Sequence, residues 1–175
     1  DEKNISLILD NCDSMGTTWD DKLLSDYAIA SSYSFYPAHH ITTGEGGAVT
    51  SNNYEVIKTA RSFAWWGRDC YCVGSQNLLS DGTCGKRFHK WIEKYDGIID
   101  HKYVYTQMGY NLKPLDFQGA VGSVQIDKFE EIHEKRRENK QKVQAHFEKI
   151  PVVHSVNELT QAEASWFGVP IICDS

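Results

Sequence analysis

A short apolar run near the start of the chain, residues 5–9, ends in the acidic residue Asp10. An apolar run of this length is typical of a buried strand, and in a parallel sheet the residue at the carboxyl end of such a strand often has a functional role. Residues 33–36 and 48–50 predict two further strands, and residues 54–65 predict a helix with its apolar residues on one side. This order of elements predicts an α/β fold.

Two more helices are predicted in the second half of the chain. Pro114 suits the first turn of a helix that runs towards Ile126, and we expect Phe117, Val121 and Val124 to face inward. A longer helix is predicted over residues 129–147. Its charged residues are interpreted as a solvated helical face. They are Glu130, Glu131, the run from Glu134 to Glu138, and Lys140.

Composition limits the classes of function that are open to the chain. Its 175 residues, 41% of them hydrophobic, fit one domain with a core. A net charge of −6 gives no electrostatic reason to expect nucleic acid or an anionic membrane as a partner. No apolar run approaches the roughly 20 residues that cross a bilayer, and the start lacks a signal core, so we predict a cytoplasmic protein. The chain does not begin with methionine, and we expect it to be part of a longer protein.

The segment at residues 34–47, SFYPAHHITTGEGG, carries a histidine pair at His39 and His40. It resembles the lysine segment of the nucleotide-sugar aminotransferases, a family of fold-type-I vitamin B6 enzymes, with His39 in the place of the lysine. The resemblance extends from about Leu7 to about Gly168. Lysine forms a Schiff base with pyridoxal phosphate (PLP), whereas imidazole cannot, so the cofactor would be held without a covalent bond. Its simplest form is then pyridoxamine phosphate (PMP).

The resemblance implies a fold and a division into domains. Residues 1–128 would form part of the large domain of the fold-type-I, aspartate aminotransferase-like fold, including a Cys-rich loop at residues 69–87. Residues 129–175 would form a connecting helix and the start of the small C-terminal domain. The exchange of lysine for histidine resembles one branch of the family, the sugar 3-dehydratases. These enzymes remove the 3-hydroxyl of a nucleotide-linked 4-keto-6-deoxy sugar.

The same resemblance implies the cofactor-binding residues. Asp10 would pair with the pyridine nitrogen and keep the ring protonated, although by itself it also suits a residue that caps a turn. Asp13 would be a second cofactor-binding aspartate, and Ser34 would bind the cofactor phosphate. Asn111 would reach the phosphate of a neighbouring subunit, which implies a homodimer, although local sequence equally suits a turn asparagine before Pro114.

His39 would be the catalytic base under this hypothesis. An imidazole, with an ordinary pKa of about 6.5, is suited to remove a proton from the cofactor methylene near neutral pH. Loss of the sugar 3-hydroxyl would follow. His40 is assigned to packing or hydrogen bonding, and the glycines at 46 and 47 are expected to let the backbone pass close to the cofactor or into a strand.

The five cysteines are an odd number without a secretory signal, which favours metal binding over a disulfide framework. Cys12, Cys70, Cys72 and Cys84 resemble the cysteines of an iron–sulfur-containing branch of the 3-dehydratases, which implies a [2Fe–2S] cluster. Zinc is the other metal that four thiolates suit, although Cys-x-Cys spacing is less usual for it. Cys173 lies in an apolar run and is interpreted as a buried thiol.

A cluster would need a source of electrons. The resemblance implies an NADH-dependent flavin and iron–sulfur reductase as a partner, whereas 3-dehydratases without these cysteines recover the amine cofactor from glutamate. Eleven residues separate Cys72 from Cys84, a longer loop than the resemblance leads us to expect. Two alternatives stay open. One is an aminotransferase, which the absence of lysine between Lys22 and Lys58 disfavours, and the other is a noncatalytic iron–sulfur or zinc module.

Overall fold

A computed structural model of the chain describes residues 3–70, 87–89 and 92–174. Within them, three α-helices are formed: α1 (Tyr54–Ala64), α2 (Asp116–Asp127) and α3 (Phe129–Phe147). The strands are short. They are β1 (Ile8–Asp10), β2 (Thr18–Trp19), β3 (Lys22–Leu23), β4 (Ala30–Ser34), β5 (Gly47–Thr50), β6 (Val153–Ser155), β7 (Ala162–Glu163) and β8 (Ile171–Cys173).

The sheet that concerns function has the strand order β1-β4-β5. β1 is parallel to β4, with Asp10 opposite Ser32, and β4 is antiparallel to β5, with Ser34 opposite Gly47. The carboxyl ends of β1 and β4 therefore meet at the same edge of the sheet. Two smaller antiparallel sheets have the orders β3-β2-β7 and β6-β8.

Strand β4 begins and ends earlier than the predicted strand at residues 33–36. Ser31, a polar residue, belongs to the strand and is almost fully buried, and a turn that contains Pro37 follows the strand directly. Proline cannot donate a hydrogen bond to a sheet, so the strand ends before it. Apolar content alone placed the strand too late because the one buried residue of β4, Ser31, is polar.

The residues form two compact units. One contains the residues up to Asn53 together with those from Pro114 onward, and the other is Tyr54–Lys113. The predicted domain boundary at residue 128 stays a prediction. In the second unit, the Ser62 hydroxyl donates a 2.7 Å hydrogen bond to the carbonyl of Arg68, which holds the end of α1 against the chain that follows it.

Helix α2 faces the rest of the first unit with its polar and small residues. The amide of Gln118 donates to the carbonyl of Glu45 (2.6 Å), and the side-chain oxygen of Gln125 accepts from the backbone N–H of Thr42 (3.2 Å). Gly122 lies between these glutamines on the same helical face. The prediction that the apolar residues of this helix face inward is therefore wrong: Phe117, Val121 and Val124 are exposed.

Helix α3 has the bounds predicted from the sequence, but its charged residues are not all solvated. Lys140 is 7% exposed, and its ammonium lies 3.3 Å from an oxygen of Glu158 and 4.4 Å from the centre of the Trp166 ring. The indole N–H of Trp166 donates to the same carboxylate at 2.6 Å, and the backbone N–H of Ala164 donates to its second oxygen at 3.1 Å. Every oxygen of this half-buried carboxylate thus has a donor.

No helix in the described part of the chain has both the length and the apolar character that a bilayer crossing needs.

Replacing Glu158 with Gln is expected to lower the free energy of unfolding by about 2 kcal/mol near pH 7, because the buried Lys140 ammonium loses its counter-charge. Burial raises the pKa of Glu158, but its donors outweigh burial and hold the pKa below its usual 4.5. The wild-type advantage is therefore present above about pH 4.5 and disappears as the pH falls through the folded-state pKa. Urea denaturation of the full-length protein from pH 7 to pH 3 measures both effects.

Glu163→Gln is the matched control, since Glu163 is 61% exposed and pairs with Arg137 at the surface. We expect it to change the unfolding free energy by less than about 1 kcal/mol. Equal losses in the two variants would contradict the assignment of Glu158 as the partner of a buried cation.

Candidate active site

Asp10 ends strand β1 with an ionised carboxylate. Its Oδ1 accepts hydrogen bonds from the Ser32 hydroxyl and from the backbone N–H of Cys12, both at 3.1 Å. A hydrogen bond from the Cys12 thiol, these two bonds and the nearby His39 hold the pKa of Asp10 below its ordinary value. The same bond raises the pKa of Cys12. At neutral pH this edge of the sheet therefore presents a carboxylate beside a protonated thiol.

Ser34 ends the neighbouring strand two residues after Ser32, so both side chains lie on the same face of β4. The Ser34 hydroxyl accepts a hydrogen bond from the backbone N–H of Tyr36 at 3.3 Å. The hydroxyl is half-buried and next to the turn that carries His39. The parallel pairing of β1 and β4 thus brings Asp10 and Ser34 to one sheet edge.

The segment after β4 folds into a closed loop. The N–H of His39 donates to the carbonyl of Tyr36 (3.0 Å), which makes a four-residue turn with Pro37 at its second position, where the fixed φ of proline fits. The carbonyl of Phe35 accepts from both the hydroxyl of Thr42 and the N–H of Thr43, each at 3.0 Å. His39 therefore lies on a loop that returns to its own starting strand.

Gly47 begins strand β5 where this loop closes. A Cβ atom at position 47 would lie 2.6 Å from the carbonyl oxygen of Tyr33, and atoms cannot approach so closely. The two backbones are side by side because Gly47 pairs with Ser34 in the sheet. The glycine thus lets the loop re-enter the sheet, as one of the two predicted roles requires.

The His39 ring lies between an acidic side chain and two aromatic rings. Its Nδ1 is 2.9 Å from Oδ1 of Asp13, within ion-pair distance, although the two groups are not aligned for a hydrogen bond. The ring centre is 5.2 Å from that of Phe167 and 6.1 Å from that of Tyr36. The side chain is 16% exposed. With Nδ1 facing Asp13, Nε2 is the ring nitrogen that remains for proton transfer.

His40 points the other way and is 2% exposed. Its Nε2 lies 3.0 Å from the carbonyl oxygen of Ser165, whose own N–H donates to the Thr17 hydroxyl at 2.9 Å. Burial, followed by the positive charge of Arg136, lowers the pKa of His40 below its ordinary 6.5. His40 is thus a neutral, hydrogen-bonded residue of the interior, while its neighbour His39 faces the sheet edge.

The remaining predicted site residues lie elsewhere or outside the described residues. Asn111 is exposed in the second unit, where it forms an isolated bridge with Trp65. Cys12 is half-buried beside Asp10, Cys70 is buried in the second unit, and Cys72 and Cys84 lie outside the described residues. In the described part of the chain, no group of three or more His, Cys, Asp or Glu side chains is arranged to hold a metal.

Cys173 is exposed at the end of β8, so the prediction of a buried thiol at this position is wrong. Its strand pairs only with β6 in a two-stranded sheet, which leaves the side chain without cover within the described residues.

Sequence reasoning missed three residues that contact this site: Ser32, Phe167 and Arg136. Ser32 could have been found from its spacing of two from Ser34, because alternate residues share a face of a strand. Arg136 was included in the solvated face of α3, yet it belongs to a set of half-buried or buried residues at spacings of three and four. The set is Phe129, Ile132, His133, Arg136, Arg137 and Lys140. Nothing in the sequence near Phe167 distinguishes it from other aromatic residues.

All of the chain, residues 1–175, matches the sequence profile of the DegT/DnrJ/EryC1/StrS aminotransferase family. The chain belongs to this family. The predicted α/β fold of the fold-type-I PLP enzymes is therefore confirmed.

Three relatives illustrate the similarity. The chain is 41% identical over 172 residues to the lipopolysaccharide biosynthesis protein RfbH of Salmonella typhimurium, covering 98% of this chain and 38% of that protein. It is 35% identical over 170 residues to dTDP-4-dehydro-2,6-dideoxy-D-glucose 3-dehydratase of Saccharopolyspora spinosa, covering 97% and 36%. The structure of E. coli GDP-4-keto-6-deoxy-D-mannose-3-dehydratase with bound hydrated PLP matches with a TM-score of 0.75 at 25% identity, covering 99% of this chain and 41% of that one.

The chain thus spans about two-fifths of the length of these relatives.

Removing the hydrogen bond between His40 and Ser165 is expected to destabilise the fold while leaving the His39 imidazole in place. His40→Leu should lower the unfolding free energy by about 1–3 kcal/mol because a buried carbonyl loses its donor, and His40→Gln, which keeps a donor, should lower it less. Folded His40 resists protonation, whereas the unfolded residue binds a proton near pH 6.5. The wild type should therefore lose stability as the pH falls below about 6.5.

Denaturation of wild type and both variants between pH 8 and pH 5 tests this prediction. The loss of unfolding free energy that the wild type shows below about pH 6.5 should be absent from both variants. An unchanged pH profile in His40→Gln would show that His40 titrates in the folded protein as it does in the unfolded chain.

Proposed function

We propose that this chain is part of a PMP-dependent nucleotide-sugar 3-dehydratase in the biosynthesis of 3,6-dideoxyhexoses for lipopolysaccharide, and that by itself it is inactive. The observation that supports it is His39. By the resemblance of the segment 34–47, it would occupy the position where the family's aminotransferases carry a lysine, and its ring lies at a sheet edge beside the carboxylate of Asp13. Two of the relatives described above are named as 3-dehydratases and one as a lipopolysaccharide biosynthesis protein.

The residues at the sheet edge fit a bound vitamin B6 cofactor. Asp10 is ionised at neutral pH and presents its carboxylate to solvent, as a partner for a protonated pyridine nitrogen requires. Ser34 offers a hydroxyl on the neighbouring strand for the phosphate, and Asp13, which faces His39, would be a further cofactor-binding residue. When bound, PMP would supply the amine that joins the sugar carbonyl and the ring that accepts electrons.

His39 would act as the base in this reaction. Its Nδ1 faces Asp13, so the proton on the imidazole is favoured at the nitrogen next to the carboxylate, and Nε2 is left as an acceptor. Phe167 covers one side of the ring and limits the access of water. His39 would remove the proton from the cofactor methylene, and the hydroxyl at C3 of the sugar would leave.

The finer assignment is CDP-4-keto-6-deoxyglucose 3-dehydrase. Four cysteines of this chain resemble the cysteines of that enzyme: Cys12, Cys70, Cys72 and Cys84. Four thiolates would hold a [2Fe–2S] cluster, and a separate NADH-dependent flavin and iron–sulfur reductase would supply its electrons. The protein would act in the cytoplasm as a homodimer in which Asn111 reaches the phosphate of the neighbouring subunit's cofactor. The nearby Asp10 raises the pKa of the Cys12 thiol, which would have to lose its proton to bind iron.

Replacing His39 with Lys in the full-length protein is expected to convert noncovalent binding of the cofactor into covalent binding. Incubation with PLP and then borohydride should add the mass of one reduced cofactor to Lys at position 39, while the wild type should gain none. Dehydration of the 4-keto-6-deoxy sugar should be lost. Mass spectrometry of the peptide that contains residue 39 measures the first effect, and product analysis measures the second.

His39→Asn is the matched control, because it removes the base without adding an amine. It should lose dehydration by a factor of about 100 or more and should not become covalently labelled. Wild-type dehydration rates in either variant would remove His39 from the role of base.

Iron analysis separates the reductive dehydrase from a 3-dehydratase without a cluster. Anaerobically purified full-length protein is expected to contain about two iron and two sulfide ions per chain, and Cys84→Ser should lose most of both. Cys173→Ser is the control, since Cys173 is exposed and outside the proposed ligand set. Protein that dehydrates its substrate without iron would be a cluster-free 3-dehydratase, and one zinc per chain without dehydration would indicate a structural module.

A further inference from the structure

The guanidinium of Arg136, on helix α3, joins the two segments that surround His39. Its Nη2 donates hydrogen bonds to the carbonyl oxygens of Ala38 (3.2 Å) and His39 (3.0 Å). Its Nη1 donates to the carbonyl oxygen of Phe167 (3.1 Å). One side chain therefore connects the backbone of the candidate base to the backbone of the aromatic residue that packs against the ring of that base.

The Arg136 guanidinium has no acidic partner among the described residues. The described hydrogen bonds of Arg136 all end on carbonyl oxygens, whereas its neighbour Arg137 forms an ion pair with Glu163 at 2.7 Å. Burial lowers the pKa of Arg136, which shows that solvent does not fully surround the group. A cation that is partly removed from water and used only to hold carbonyl oxygens has a positional role rather than a role in charge pairing.

The Phe167 side of this connection is itself fixed. The preceding residue, Trp166, is held by the carboxylate of Glu158 and lies against Lys140, and Ser165 is held by Thr17 and His40. Consequently, Phe167 is presented by a chain segment with little freedom to move. Arg136 transmits that restraint to residues 38 and 39.

We propose that Arg136 is a positioning residue for His39: it fixes the backbone at residues 38–39 relative to Phe167, so that the imidazole stays between the Phe167 ring and the Asp13 carboxylate. A planar guanidinium has several donors in a fixed arrangement and can hold three carbonyl oxygens at once, whereas the single ammonium of lysine is less well placed to do so. The consequence for catalysis rests on the proposed function. The restraint on the ring itself does not.

The first test reads the position of the ring directly. In full-length protein without substrate, the rate at which diethyl pyrocarbonate modifies His39, followed by mass spectrometry, should rise several-fold in Arg136→Ala, because the half-buried ring is no longer held. Phe167→Leu, which keeps the carbonyl bond and removes the ring, should also raise it. Arg137→Ala on the same helix should leave the rate unchanged.

The second test reads catalysis. In the enzyme loaded with PMP, Arg136→Ala should lower kcat by about 10- to 100-fold with KM within about twofold of wild type, because a misplaced base slows the chemical step more than binding. The kcat of Arg136→Lys should lie between those of the wild type and Arg136→Ala. Millimolar guanidinium ion should restore part of the activity of Arg136→Ala and none in Arg137→Ala.

Three results would overturn the proposal. One is an unchanged modification rate at His39 in a folded Arg136→Ala protein. Another is a loss of kcat that tracks a loss of thermal stability and PMP affinity, with no rescue by guanidinium. The third, if Arg136→Ala does not fold, is wild-type His39 reactivity in both Arg136→Lys and Phe167→Leu. If Arg136→Ala changes the reactivity of His39 but the wild-type protein does not dehydrate sugars, the role of Arg136 is kept and the proposed function is rejected.

Discussion

The first compact unit depends on a buried polar connection centred on Ser165. The N–H of this residue bonds to Thr17, and its carbonyl bonds to His40, so three segments that are distant in the sequence meet at one residue that is 1% exposed. Among the described apolar residues of this unit, only Ile41, at 4% exposure, is buried. Because apolar burial is so limited, directional hydrogen bonds fix the relative positions of these segments, and an unmade bond at such a site would be costly.

This connection places the two histidines in different environments. His40 is buried and neutral, and it anchors the loop, while His39 projects towards the sheet edge that carries Asp10. Around His39, an acidic residue, an aromatic ring and the Arg136 guanidinium act from different directions. Under the proposed function the cofactor would not be covalently attached and could not fix the base through a bond, so the protein would have to position His39 by its own contacts.

Much of the local structure followed from the sequence. The bounds of α3 matched the prediction, and a strand that ends at Asp10 and the glycine at the start of β5 were also predicted. The prediction that the first strand is buried was wrong, because Ile8 is 73% exposed. The inward face of α2 was not predicted correctly, because a helix that approaches a loop closely at Gly122 leaves its bulky residues on the other side. Lys140 and Arg136 were also misplaced, since periodicity shows which residues share a helical face but not whether that face meets carboxylates and carbonyl oxygens or water.

The sequence by itself determined the chemistry that is available here: a histidine pair in the segment 34–47, a carboxylate at the end of a strand, and thiols with irregular spacing. These depend on side-chain identity and position along the chain, which the sequence states directly. Only the tertiary structure decided that Asp13 faces His39, that His40 is an interior residue, and that Arg136 on a distant helix holds the loop. Such contacts join residues roughly 25 to 125 positions apart, and their geometry arises from packing, which no local pattern records.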